Sequence, residues 1–120
     1  MTGVLVLAHG SRRKETESVL ASVVAKVKEK VDVKLIETAF LQFSEQDLEK
    51  GLVSLIEQGA TEIKVIPYFL FDGVHITEDI PAELEAFKEK HGQINIYLES
   101  TLGDDERLAM ILADKVVASY

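Results

Sequence analysis

The chain has no cysteine, no tryptophan and only two prolines in 120 residues. Without cysteine there are neither disulfides nor thiolate metal ligands, and the redox compartment leaves no trace in the sequence. No apolar run approaches the roughly 18 residues of a membrane helix. The strand-like stretch Gly3 to Ala8 lacks the basic flank and cleavage pattern of a signal peptide, so a cytoplasmic protein is expected. Positive charge is also scarce: 13 Lys and Arg stand against 21 Asp and Glu, for a net charge of −8. That balance argues against nucleic acid as a partner, because a duplex binder needs a positive face. What is abundant is apolar side chain, 47% of the residues, which excludes the disordered classes. With no repeat or Gly/Ser linker, residues 1–120 read as one domain.

Strand and helix patterns alternate four times. Residues 3–8 form an apolar strand, and 14–30 a helix with Val19, Leu20, Val23, Val24 and Val27 on one face. A second strand is expected over 32–40. Ser44 with Asp47 reads as a capping signal for a helix through Leu48, Leu52, Leu55 and Ile56, ended by Gly59. A third strand starts at Glu62 or Ile63, a helix carries Ile80, Leu84 and Phe87, and a fourth strand covers 94–98. The last helix, over 104–118, opens on Asp104, Asp105 and Glu106, which suit the helix dipole. Its Leu108, Ile111, Leu112 and Val116 are expected to face inward.

This alternation predicts an α/β fold, a three-layer flavodoxin-like sandwich with helices on both faces of a four-stranded parallel sheet. Strands one and three are apolar throughout and belong in the centre, whereas two and four alternate and belong at the edges. Right-handed crossovers then give the order 2-1-3-4. Pro67 cannot donate to a ladder, so regular pairing is expected to end near Ile66.

Open α/β sheets bind ligands beyond the strand carboxyl ends, where neighbouring crossovers depart in opposite directions. In this order the switch point lies between strands one and three. The loop after strand one carries His9, Gly10, Ser11 and Arg12; the loop after strand three carries Phe71, Gly73 and His75. Two of the three histidines therefore share one crevice, while His91 ends a helix as a solvated residue. Imidazole suits Fe²⁺, Co²⁺, Ni²⁺ and Zn²⁺, and near neutral pH it also accepts a proton. A closed zinc site wants four protein ligands, a set this cysteine-free chain does not offer. A histidine pair with open positions fits a metal held briefly and handed on. Arg12, Arg13 and Lys14 form the one basic cluster, placed where cations oppose the helix dipole, which favours a functional reason for them. The run Tyr68 to Phe71 is mostly core, its later residues able to wall an apolar cleft. His9-Gly10-Ser11 is neither a dinucleotide fingerprint nor a P-loop.

Taken together, Leu7-Ala8-His9-Gly10-Ser11-Arg12, Glu37-Thr38-Ala39-Phe40-Leu41, Pro67-Tyr68-Phe69-Leu70, Gly73 through Pro81 and Leu102-Gly103-Asp104-Asp105 resemble the small CbiX-type class II sirohydrochlorin chelatases. The resemblance covers nearly the whole chain. It implies a chelatase-like fold and insertion of Fe²⁺ or Co²⁺, with Ni²⁺ in some members, into sirohydrochlorin for sirohaem, cobalamin or related tetrapyrroles. Its metal-binding and catalytic histidines correspond to His9 and His75. Ser11, Arg12, Arg13, Phe71 and Gly73 fall to the macrocycle. The resemblance implies no organic cofactor, and a homodimer or one lobe of a longer chain. A glutamate common in the family after Ala-Phe-Leu is here Gln42. An amide coordinates weakly and hydrogen-bonds, but takes up no proton and offsets no charge. Glu37 and Glu45 are the neighbouring substitutes.

Two other classes of function fit the same residues. One is phosphoryl transfer with His9 as nucleophile and Arg12 holding phosphate, although Ala8 stands where an arginine usually precedes such a histidine. The other is a metal or tetrapyrrole carrier that binds without accelerating insertion.

Overall fold

The computed structural model describes residues 1–120 apart from Gln93 and the side chain of His75. Four strands, β1 (Thr2–Ala8), β2 (Leu35–Phe40), β3 (Glu62–Pro67) and β4 (Asn95–Leu98), form a parallel sheet. Its order, β2-β1-β3-β4, is the one expected from the hydrophobic patterns. The helices are α1 (Glu15–Lys30), α2 (Leu48–Glu57), α3 (Ile80–His91) and α4 (Glu106–Ser119), with a π-helical turn His75–Asp79 leading into α3.

Alternation along β1 sends Gly3, Leu5 and Leu7 to one face and Val4, Val6 and Ala8 to the other. The first face makes the main core. Leu5, Leu7, Ile63 and Val65 pack with Leu52 and Leu55 of α2 and Ile80 of α3, all fully buried. Helix α2 lies against the strands with little between them, because a Cβ at Gly51 would sit 2.7 Å from a Leu5 methyl. The second face is smaller: Leu20 and Val24 of α1 cover Ala8, Ile36 and Phe40.

Four details differ from the sequence reading. Strand β2 starts at Leu35 rather than near residue 32, since Gly3 already pairs with Leu35 and β1 offers residues 31–34 almost nothing to ladder against. Helix α2 is capped by Asp47, whose carboxylate accepts from the Lys50 amide at 2.9 Å, while Ser44 Oγ is taken by the Gln46 amide. Pro67 lies inside β3, one residue beyond the expected end. The Tyr68 amide donates to the Leu7 carbonyl at 2.7 Å and the Glu99 amide to Val65, so position 67 turns its nitrogen towards the side where β4 has already ended. No donor is missed there.

The fourth concerns α4. No residue of this helix is buried, so Leu108, Ile111, Leu112 and Val116 do not face inward as their spacing predicts. A periodic apolar face states that a helix seeks cover, not which surface supplies it. The radius of gyration is 15.3 Å, against about 13.6 Å for a compact chain of this length. The helix starts at Asp105, whose carboxylate caps the Arg107 amide and pairs with its guanidinium at 2.8 Å. Those bonds hold the Asp105 carboxyl down at about 2. Among the described residues no helix is long and apolar enough to cross a membrane.

Candidate metal and macrocycle site

The carboxyl ends of β1, β2 and β3 carry three loops that meet at the switch point. The loop after β1 is held from several sides. The Leu41 amide donates to the Ala8 carbonyl (2.9 Å) and the Gln42 amide to the His9 carbonyl (3.1 Å), extending the β1–β2 pairing past both strand ends. Gly10 has φ +88°, and a Cβ there would overlap the Gln42 carbonyl. The His9 ring, at the exposed edge, stacks on buried Phe69 with centroids 4.0 Å apart and planes within 10°. Ser11 Oγ accepts from the Arg13 amide at 3.1 Å, turning the chain into α1.

The loop after β2 stays close to its strand. The Phe40 amide donates to Gln46 O, and Gln46 Nε2 donates to Thr38 O. Phe43 adopts a positive φ of 59°, a conformation costly for a bulky residue. The Arg12 guanidinium lies over its ring, 5.1 Å from the centroid. Gln42 thus sits beside His9 through the backbone, with its side chain exposed. The two acidic substitutes separate: Glu37 accepts from Gln58 Nε2 at the end of α2, away from the site. Glu45 lines an open cleft of about 790 Å³ with Lys14, Phe43 and Lys50.

The loop after β3 is open. Tyr68, Leu70 and Phe71 are exposed by 40, 50 and 81%, and Val74 by 62%. The loop is tied at its base by the Leu102 amide to Phe69 O (2.9 Å) and by Thr101 Oγ1 to Asp72 (3.1 Å). Thr77 closes its far end, with amide and hydroxyl both donating to Gly73 O. His75 opens the π-helical turn, a local form often found at functional sites. The metal-ligand role expected of the His75 side chain lies outside the described residues. Among those residues no three His, Asp or Glu side chains gather into a ready metal cage. His91 is exposed and stacks on Phe87, as a helix-ending residue would.

Arg12, Arg13 and Lys14 are all exposed, the last two with partners in Glu15 (3.6 Å) and Glu17 (3.7 Å). Arg12 has its place on Phe43 instead. Sequence reasoning missed Phe69 as the support of His9 and Phe43 as the support of Arg12. The aromatic run 68–71 was a signal for the first; nothing marked the second.

These loops carry the most specific part of the sequence, and comparison with known proteins agrees with it. The CbiX family model matches residues 3–119. The chain belongs to the CbiX family. It is 34% identical over 116 residues to a sirohydrochlorin ferrochelatase of Priestia megaterium, covering 97% of this chain and 44% of that protein. It is 32% identical to a sirohydrochlorin cobaltochelatase of Sulfurisphaera tokodaii, covering 97% of this chain and 92% of the other. The sirohydrochlorin chelatase SirB of Bacillus subtilis subspecies spizizenii, solved in complex with cobalt, has the same fold with a TM-score of 0.90. It is 28% identical, over 98% of this chain and 50% of its own. This CbiX chain therefore spans about half the length of the larger relatives and nearly all of the archaeal one.

Proposed function

We propose that this CbiX chain inserts a divalent metal, Fe²⁺ or Co²⁺ and in a further candidate Ni²⁺, into sirohydrochlorin. The observation that carries the reading is His9: an imidazole presented on an aromatic support at the switch point between β1 and β3, the strand whose following loop bears His75. His9 and His75 act as metal ligands and as proton acceptors. As the ion passes to the macrocycle, two pyrrole N–H protons leave, and imidazole is the base that suits neutral pH. The exposed Phe71 gives the macrocycle a flat apolar support, with Gly73 leaving room beside it. Ser11, Arg12 and Arg13 meet its peripheral carboxylates. Gln42 lies beside the metal path as a neutral helper. No organic cofactor takes part, the protein works in the cytoplasm, and residues 1–120 act as one chelatase lobe that pairs with a second copy.

The test mixes the protein with sirohydrochlorin and each metal in turn and follows the absorbance change. Insertion faster than the protein-free control is expected for at least one metal. Rates equal to the control for all three end the reading and leave a carrier, which the neutral Gln42 also favours. Tight metal binding without acceleration would identify that carrier.

A further inference from the structure

Phe43 stands in a place that folding alone does not explain. Among the described residues it is the one non-glycine with a positive φ, 59°. That region is costly for a bulky side chain and open to glycine. Burial does not offset the cost, because the residue is 47% exposed and belongs to neither core cluster. The partner of its ring is the Arg12 guanidinium, 5.1 Å from the centroid. The chain on either side of Phe43 is fixed. The Gln42 amide donates to His9 O and Ser44 Oγ accepts from the Gln46 amide, both at 3.1 Å. The ring is thereby placed relative to the loop that carries His9.

The three cations after His9 are not equivalent. Arg13 lies 3.6 Å from Glu15 and Lys14 lies 3.7 Å from Glu17. The Arg12 side chain has no ion pair or hydrogen bond among the described residues. Attraction to a ring face holds a cation without consuming its N–H donors. Arg12 therefore keeps its planar fork of five donors, the shape that matches a carboxylate. A chain of net −8 repels a ligand bearing several carboxylates, so recognition calls for a cation in a defined place. Arg12 follows His9 by three residues, at most about 10 Å of chain.

We propose that Phe43 is a positioning residue for substrate recognition: its ring aims the Arg12 guanidinium at one peripheral carboxylate of the macrocycle. The inference rests on the function proposed above and names the residue that sets the substrate's orientation at His9. Phe43 itself makes no contact with the reacting atoms.

The test titrates sirohydrochlorin without metal into the full chain, follows its absorbance, and then measures insertion kinetics. Phe43→Leu should weaken binding about 3–10-fold and raise KM by the same factor with kcat unchanged. Phe43→Tyr, which keeps the ring, should restore binding to within about twofold. Phe43→Gly suits the positive φ, so it keeps the loop's path while losing the ring, and it should bind as weakly as Phe43→Leu. Arg12→Ala should cost about tenfold or more, and adding Phe43→Leu to it should cost nothing further. Lys14→Ala, which removes the same charge two residues away, should stay within about twofold. Unchanged binding in Phe43→Leu, additive losses in the double variant, or a fall in kcat alone would overturn the proposal and leave the metal-insertion reading standing. So would a loss in Lys14→Ala equal to that in Arg12→Ala, since charge alone would then suffice. Coupled losses in binding without accelerated insertion end the insertion reading and keep the receptor. An unmodified protein that does not bind sirohydrochlorin ends both.

Discussion

The two histidine loops sit side by side at one end of the sheet and are built in opposite ways. The loop after β1 is pinned by a turn at Gly10 with φ +88°, by backbone bonds to the β2–α2 loop and by a ring stacked on the core. The loop after β3 is tied at Phe69, Asp72 and Gly73, and between these ties it exposes Leu70, Phe71 and Val74. A chelatase needs both properties. One imidazole must be fixed so that the metal meets a defined ligand, and the opposite wall must admit and release a rigid macrocycle. The difference teaches that, under the proposed function, geometric precision falls to the loop after β1 and substrate access to the loop after β3.

This contrast can be broken in ways that differ in size. His9→Ala should have the largest effect, lowering the insertion rate by about 10²–10⁴ while thermal stability changes little. A rate close to the unmodified protein would remove His9 from the site. Gly10→Ala comes next, because it forces a side chain into a left-handed conformation and into the Gln42 carbonyl. It should cost about 1–3 kcal/mol in denaturant unfolding. The same change at Gly73, which has open space around it, should stay within about 0.5 kcal/mol. Equal losses at the two glycines would erase the contrast. Phe71→Ala should leave stability within that same margin and raise KM for sirohydrochlorin roughly tenfold, about 1.4 kcal/mol of binding. If kcat falls instead with KM unchanged, Phe71 belongs to the chemistry rather than to access.

The smallest effect lies away from both loops and serves as a control. The Asp105 carboxyl sits near 2 rather than at its ordinary 3.8 because Arg107 bonds its charged form. A lowered pKa adds support to α4 that is complete above the ordinary value and is lost as pH falls through about 2. Helix content followed by circular dichroism should show a small loss across that window, absent in Asp105→Asn. Insertion at neutral pH should be unchanged in that variant.

How far the sequence could be read follows from how local each signal is. Strand order was legible because burial on one face or two writes itself into alternation, as in Ile94, Asn95, Ile96 and Tyr97. The placement of His9 was legible because topology fixes where crossovers diverge. Pro67 was misjudged because the side its nitrogen faces depends on where β4 stops, a fact thirty residues away in sequence. Asp47 displaced Ser44 as the cap because Ser44 is consumed by its own turn. The positive φ of Phe43 left no mark in the residue types. The face of α4 was read correctly as apolar and wrongly as covered, since periodicity carries no address.

Gln42 is set by its backbone: its amide donates to the His9 carbonyl, and its own carbonyl lies where a side chain on residue 10 would have to go. Its side chain, by contrast, is exposed to solvent. Backbone and side chain at this position are therefore decoupled: the architecture is carried by atoms that every residue type possesses. Replacing the amide by a carboxylate exchanges one NH₂ for one oxygen and leaves the scaffold where it was. Under the proposed function, position 42 is in that sense an adjustable dial, on which metal preference and proton uptake would be retuned without the fold registering the change.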